Sequence, residues 1–163
     1  MKISILCTVV LLSGSVAVWG SGLPKASLQA IIKTLQDQNL EVRVAAAQAL
    51  SQVPDDAAVK PLESALMASS DPAEQDALVK ALCAIKDKSS VKRLSDALYN
   101  PQFTWGNGAK AKTIQVIARV GEKKTLKWLS DLAVSDQEPL VRAAALRALG
   151  ELGAPPKKEE KKD

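Results

Sequence analysis

Apolar positions recur along this chain at the spacing of one helix face. Leu28, Ile31, Ile32 and Leu35 fall at i, i+3, i+4 and i+7, and after the short polar turn Asp37 to Leu40 the same period returns with Val42, Ala46, Ala49, Leu50 and Val53. Two such runs joined by a short turn predict an antiparallel helical hairpin. Pro54-Asp55-Asp56 stops the second helix and offers a capping carboxylate to the next. Val59, Leu62 and Leu66 then mark a third helix, with Pro61 in its opening turn. Ala77, Leu78, Ala81, Leu82 and Ile85 mark a fourth, after the turn Ser69-Ser70-Asp71-Pro72. A third pair follows with Val91, Leu94 and Leu98, then Ile114, Ile117 and Val120 before Gly121. The fourth has Trp128, Leu129 and Leu132, then Val141, Ala145, Leu146, Leu149 and Leu152, closed by Gly153 and Pro155-Pro156. No stretch alternates with the period of a strand, so the expected class is all-α.

The hairpins are copies of one another. Val42-Arg43-Val44-Ala45-Ala46-Ala47-Gln48-Ala49-Leu50 returns as Val141-Arg142-Ala143-Ala144-Ala145-Leu146-Arg147-Ala148-Leu149, each with an Asp six residues before its Arg, Asp37 and Asp136. Aligning Ala49-Leu50, Ala81-Leu82, Val116-Ile117 and Ala148-Leu149 gives spacings of 32, 35 and 32 residues. A period of that length is the mark of an array whose units bury their apolar faces only by stacking. The units run over about 24–54, 55–87, 88–121 and 122–153.

Flanking the array are two segments of other character. Met1-Lys2, an apolar run from Ile3 to Trp19, and Gly20-Ser21-Gly22 have the order of a secretory signal peptide over 1–22, with cleavage after Gly20 or Gly22. The interruption at Ser13-Gly14-Ser15 and the short run argue against an uncleaved anchor. Residues 154–163 contain only Lys, acids, Pro and one Ala, and read as a disordered charged tail.

The pattern Leu-x-x-Leu, Asp, then Val-Arg-x-Ala-Ala-x-x-Ala-Leu-Gly, nearly whole from Leu129 to Gly150 and again from Leu28 to Leu50, resembles HEAT repeats of the short bacterial type. It is similar also to the HEAT-like repeats of phycobilisome lyases. The resemblance is weaker in the middle units, where Gln75 and Lys110 stand in place of the Arg. It implies a right-handed α-solenoid of about four hairpins, a HEAT-like superhelix whose second helices line a concave surface. For the Asp37/Arg43 and Asp136/Arg142 pairs it implies an architectural task, tying a turn to a second helix.

Composition narrows the chemistry. There is no His in 163 residues, which removes the commonest general base and metal ligand. No catalytic residue, metal site or cofactor is therefore expected, and the chain reads as non-enzymatic. Of the net charge of +4, one unit belongs to Lys2 and one to the tail. The array keeps too little excess for a nucleic-acid footprint, and no strong membrane binding is expected after signal cleavage. Cys83, alone once the leader is removed, aligns with Ser51, Ala118 and Gly150 and reads as a small packing residue.

Two features suit partner binding. The loop from Tyr99 through Phe103 and Trp105 to Gly108 holds three of the four aromatics beyond the leader and lengthens the third unit. Exposed, it anchors a partner; folded back, it plugs the edge of the stack. The second helices carry the polar columns Arg43, Gln75, Lys110, Arg142 and Gln48, Lys80, Gln115, Arg147, a mildly basic ladder suited to an acidic or polar segment. Tyr99, Phe103, Trp105, Arg43, Lys80, Lys110 and Arg147 are the expected contact residues. The function expected is that of an exported scaffold, periplasmic or secreted, binding another envelope protein. A structural role at a membrane or wall surface is the alternative, and a lyase-like cofactor chaperone a more remote one. The oligomeric state is left open.

Overall fold

The computed structural model describes residues 23–106 and 108–153; the expected signal peptide and charged tail lie outside the described residues. Within them the chain is all-α. The helices are α1 Lys25–Thr34, α2 Leu40–Gln52, α3 Val59–Ala68, α4 Pro72–Ile85, α5 Ser89–Leu98, α6 Ala109–Gly121, α7 Leu126–Ser135 and α8 Pro139–Gly153, with 3-10 turns at Asp56–Ala58 and Glu122–Thr125 leading into α3 and α7. Their starts follow from capping. Asn39 accepts from the Glu41 N–H ahead of α2, and Asp71 accepts from the Glu74 N–H ahead of α4, where Pro72 fills a position that needs no donor. Lys86 ends α4 in the left-handed region at φ 57°.

Each odd helix packs on the even helix that follows it, making four hairpins. The even helices also stack on one another, α2 on α4, α4 on α6 and α6 on α8, whereas contacts between successive odd helices are sparse. The even helices therefore form the more closely packed layer of the α-solenoid, the layer that the HEAT-type pattern implies on its inner curve.

The core is aliphatic and continuous through all four units. Leu50, Leu62, Leu66, Leu78, Leu94, Ile114, Ile117 and Leu129 are fully buried, each stabilising the stack by roughly 1.5–3 kcal/mol. Two residues assigned to the core from periodicity are exposed: Val42 is 38% exposed and Leu146 60%. Their counterparts in other units are buried, and the reason is position. Val42 belongs to the first unit and Leu146 to the last, so each faces the side where the array stops.

Candidate functional site

The Asp and Arg of the repeated motif meet through the main chain rather than as carboxylate and guanidinium. Arg43 Nη1 donates to the carbonyl oxygens of Asp37 at 2.9 Å and Gln38 at 3.2 Å. Arg142 Nη1 donates to those of Asp136 at 2.8 Å and Gln137 at 3.1 Å. The Asp side chains turn inward on the loop, each accepting from the N–H two residues on, Asn39 and Glu138. This is an architectural clamp on the turn.

Arg43 also crosses to the next unit. Its Nε and Nη2 grip Glu74 at 2.6 and 3.3 Å, and Ser69 Oγ donates to the same carboxylate at 2.7 Å. The Glu74 side chain is only 5% exposed. Lys110 pairs with Glu138 of the fourth unit, and Lys112 reaches back to Asp76 of the second. Gln75, which stands in the Arg43 column, is buried and donates to the Ser69 carbonyl at 2.7 Å. The column Arg43, Gln75, Lys110, Arg142 is therefore occupied largely with joining units and turns, and only part of its charge is open to a partner.

On the odd-helix side a second junction has the same character. Arg93 of α5 meets Glu63 of α3 at 2.9 and 3.1 Å and Asp87 at 2.7 Å. Glu63 is buried, and the Arg93 guanidinium together with Ser89 holds the Asp87 carboxyl well below the usual carboxylate range. Sequence reading missed this triad. The signal was there: opposite charges separated by nearly one repeat length, 30 residues for Glu63 and Arg93, 31 for Arg43 and Glu74.

The aromatic loop divides in two. Gly106 donates to the Met67 carbonyl at 2.8 Å and lies so close to Ser69 that a Cβ there would fall 2.0 Å from its carbonyl oxygen. Trp105 is thereby laid against the core, half-buried, its Nε1 enclosed and without an acceptor among the described residues. Phe103 and Tyr99 stay outside, 42% and 61% exposed, and the Tyr99 hydroxyl donates to Asp136. Partial desolvation of the hydroxyl, although the ring is largely exposed, and its bond to Asp136 raise the Tyr99 pKa. Trp128, expected in the core, packs on it but is half-buried and lines a groove of about 500 Å³ with Tyr99 and Asp131. Cys83 is half-buried against the core, and burial pushes its thiol pKa up.

What remains open on the inner curve is the second polar column. Gln48, Lys80 and Arg147 are exposed and Gln115 is half-exposed. Lys80 and Arg147 have no carboxylate partner among the described residues. Arg147 forms one side of a groove of about 270 Å³ between α6 and α8, floored by Ala111, Ala144 and Ala148 and edged by Lys112, Gln115 and Glu151. Ala111 is shared with an adjoining groove of about 280 Å³ formed by Trp105, Gly106, Gly108, Lys110, Glu138 and Leu140. The first is a trough between α6 and α8 with Arg147 on its edge; Trp105 and Lys110 line the second. Arg43 instead borders a groove at the edge between the first two units, and Tyr99 the one beside Trp128.

Three family models match the sequence: HEAT repeats over residues 108–160, HEAT repeat over 28–53, and PBS lyase HEAT-like repeat over 42–66. The matches fall on the first hairpin and its junction with α3, and on α6 to α8 and beyond. No curated protein matches the chain. HEAT repeats as a class serve chiefly as scaffolds for protein interaction.

Proposed function

Because the chain is a HEAT-repeat solenoid, we propose that it works as a non-enzymatic scaffold, exported to the bacterial envelope, that holds a polar or acidic segment of another envelope protein. The observation that carries the reading is the trough between α6 and α8. Its floor of three alanines lets a main chain approach closely, while Arg147, with no carboxylate partner among the described residues, supplies donors at the edge beside Lys112 and Gln115, which hold Asp76 and Glu151. Lys80 extends the positive side toward the second unit. A segment with one or two carboxylates and a small apolar side chain suits this lining better than a basic one. Export rests on the order of residues in 1–22.

Reversing the charge of the trough tests the assignment. Gln115→Glu with Arg147→Glu lines the trough with acid and reverses the edge charge, at two positions outside the buried core. Affinity for the native partner, recovered from envelope fractions and titrated by calorimetry, is expected to fall at least about tenfold, a loss of ~1.4 kcal/mol. Unchanged affinity for the doubly substituted protein overturns the site. Recovery of the chain with its leader attached, in the cytoplasm alone, overturns the export.

A further inference from the structure

Among the described residues the two ends of the solenoid carry stacking faces rather than polar caps. Along the second helices the column Ala47, Val79, Ile114, Leu146 is 0%, 2% and 0% exposed in the first three units and 60% in the fourth. The first three are covered in part by the unit that follows; none of the described units follows Leu146. Gly150 in the same outward stripe faces open space, where its counterpart Ala118 is buried. The opposite end shows the complement. In the column Val42, Glu74, Ala109, Val141, the first residue is 38% exposed and the others 4%, 0% and 3%. Ala45 is exposed where its counterparts Ala77 and Ala144 are buried and Lys112 is half-buried. Arrays that end in solution ordinarily close with a polar outer face; here both ends present small and aliphatic side chains in the register that the internal junctions use.

Charge follows the same logic. Arg43 clamps its own turn with Nη1 and spends its remaining edge on Glu74 of the next unit. Arg142 clamps its turn in the same way, but its Nε and Nη2 meet no carboxylate among the described residues. At the other end Glu41, in the first turn of α2 and beside Val42, is exposed and pairs with no cation among the described residues. The tail end thus has a spare guanidinium edge and the head end a spare carboxylate, one position from the place Glu74 occupies at the internal junction.

We infer that a second copy of this chain covers these faces, head to tail: α2 of one copy lies on α8 of the next, as α4 lies on α2 within the chain. Leu146 and Gly150 take against the incoming α2 the places that Ala47 and Ser51 have toward α4. Val42 and Ala45 take those of Glu74 and Ala77. The contact joins two different faces, and repeating it extends an open array rather than closing a ring of two. The trough between α6 and α8 lies on another side of α8 and stays free, so this inference stands apart from the partner-binding reading.

Two exposed substitutions separate the faces without touching the core. Leu146→Glu blocks the tail and Ala45→Glu blocks the head. By sedimentation velocity the unsubstituted protein is expected to grow in mass with concentration through dimers and longer species, while each variant alone stays monomeric. Mixed in equal amounts, the two variants still have one intact head and one intact tail between them, and give particles of twice the monomer mass and none larger. A protein that remains monomeric throughout overturns the inference and leaves the end faces to the chain's own N-terminal segment or to another protein. A dimer abolished by Leu146→Glu but unaffected by Ala45→Glu also overturns it, in favour of tail-to-tail pairing.

Discussion

Replacing Arg93 by Ala is expected to lower the stability of the array by about 3 kcal/mol, near the lower end of the range for removing one member of a buried ion pair. The size comes from what is left behind. Glu63 has a side chain only 7% exposed, and its two bonds from Arg93 are the ones that compensate its charge. Asp87 loses its 2.7 Å partner as well. Arg93 itself is 36% exposed, which keeps the loss from the upper end of the range. Denaturant unfolding reads the effect, and a second variant tests its cause. Glu63→Leu with Arg93→Leu removes both charges and fills the space with apolar volume, so most of the loss is expected to return. A loss below about 1 kcal/mol for Arg93→Ala contradicts the burial argument, since that is the scale of an exposed pair. The same triad sets a pH dependence. The folded pKa of Asp87 is depressed, so its contribution is fully present above the unfolded value of about 4 and is lost as pH falls through the folded value. Stability is expected to drop below about pH 4, and less steeply in Arg93→Ala.

Gly106→Ala is expected to free the aromatic loop while leaving the helices in place. The added Cβ would sit 2.0 Å from the Ser69 carbonyl oxygen, 2.4 Å from its carbon and 2.9 Å from the Ala68 oxygen, all backbone at the end of α3. None of these atoms moves without unwinding that end, so the loop gives way. It loses the Gly106 to Met67 bond and the packing of Trp105. Overpacking of this kind costs about 1–3 kcal/mol. Because cleavage of an opened segment follows the population of the open form, a cost near 2 kcal/mol predicts chymotryptic cleavage at Phe103 and Trp105 about thirtyfold faster. Cleavage at an unchanged rate contradicts the docking of Gly106. Helical circular dichroism is expected to stay constant in either case.

The distribution of what the sequence disclosed has a physical cause. Helices and their pairing are written in local periodicity and in caps such as Asn39 and Asp71, which act within a few residues. The hairpin order and the buried leucines were accordingly legible. Val42 and Leu146 misled because periodicity assigns a face but not whether a neighbour lies beyond it. The charged columns misled in a related way. Arg43 and Lys110 look like an open ladder when each helix is read alone, and their engagement with Glu74 and Glu138 appears only when one unit is laid on the next. Separations of 28 to 36 residues between opposite charges recur in the five pairs that join units on the inner curve and in α3 to α5. That is the repeat length, and charges so spaced are the signal a sequence offers for such junctions. The loop divides in burial, because Gly106 permits an approach to Ser69 that seats Trp105, while Phe103 and Tyr99 stay exposed.

Arg147 lies in the open column with no carboxylate partner among the described residues. Together with the alanine floor, that makes the α6–α8 trough the surface on which the functional reading rests. The most direct test is photocrosslinking in intact cells from a photoreactive residue at position 115, inside the trough, compared with one at position 64 on α3. The account predicts one dominant protein crosslinked from 115, absent from 64, and lost when Arg147 is changed to Glu. Equal crosslinking from both positions, or a product from 115 that survives Arg147→Glu, contradicts it.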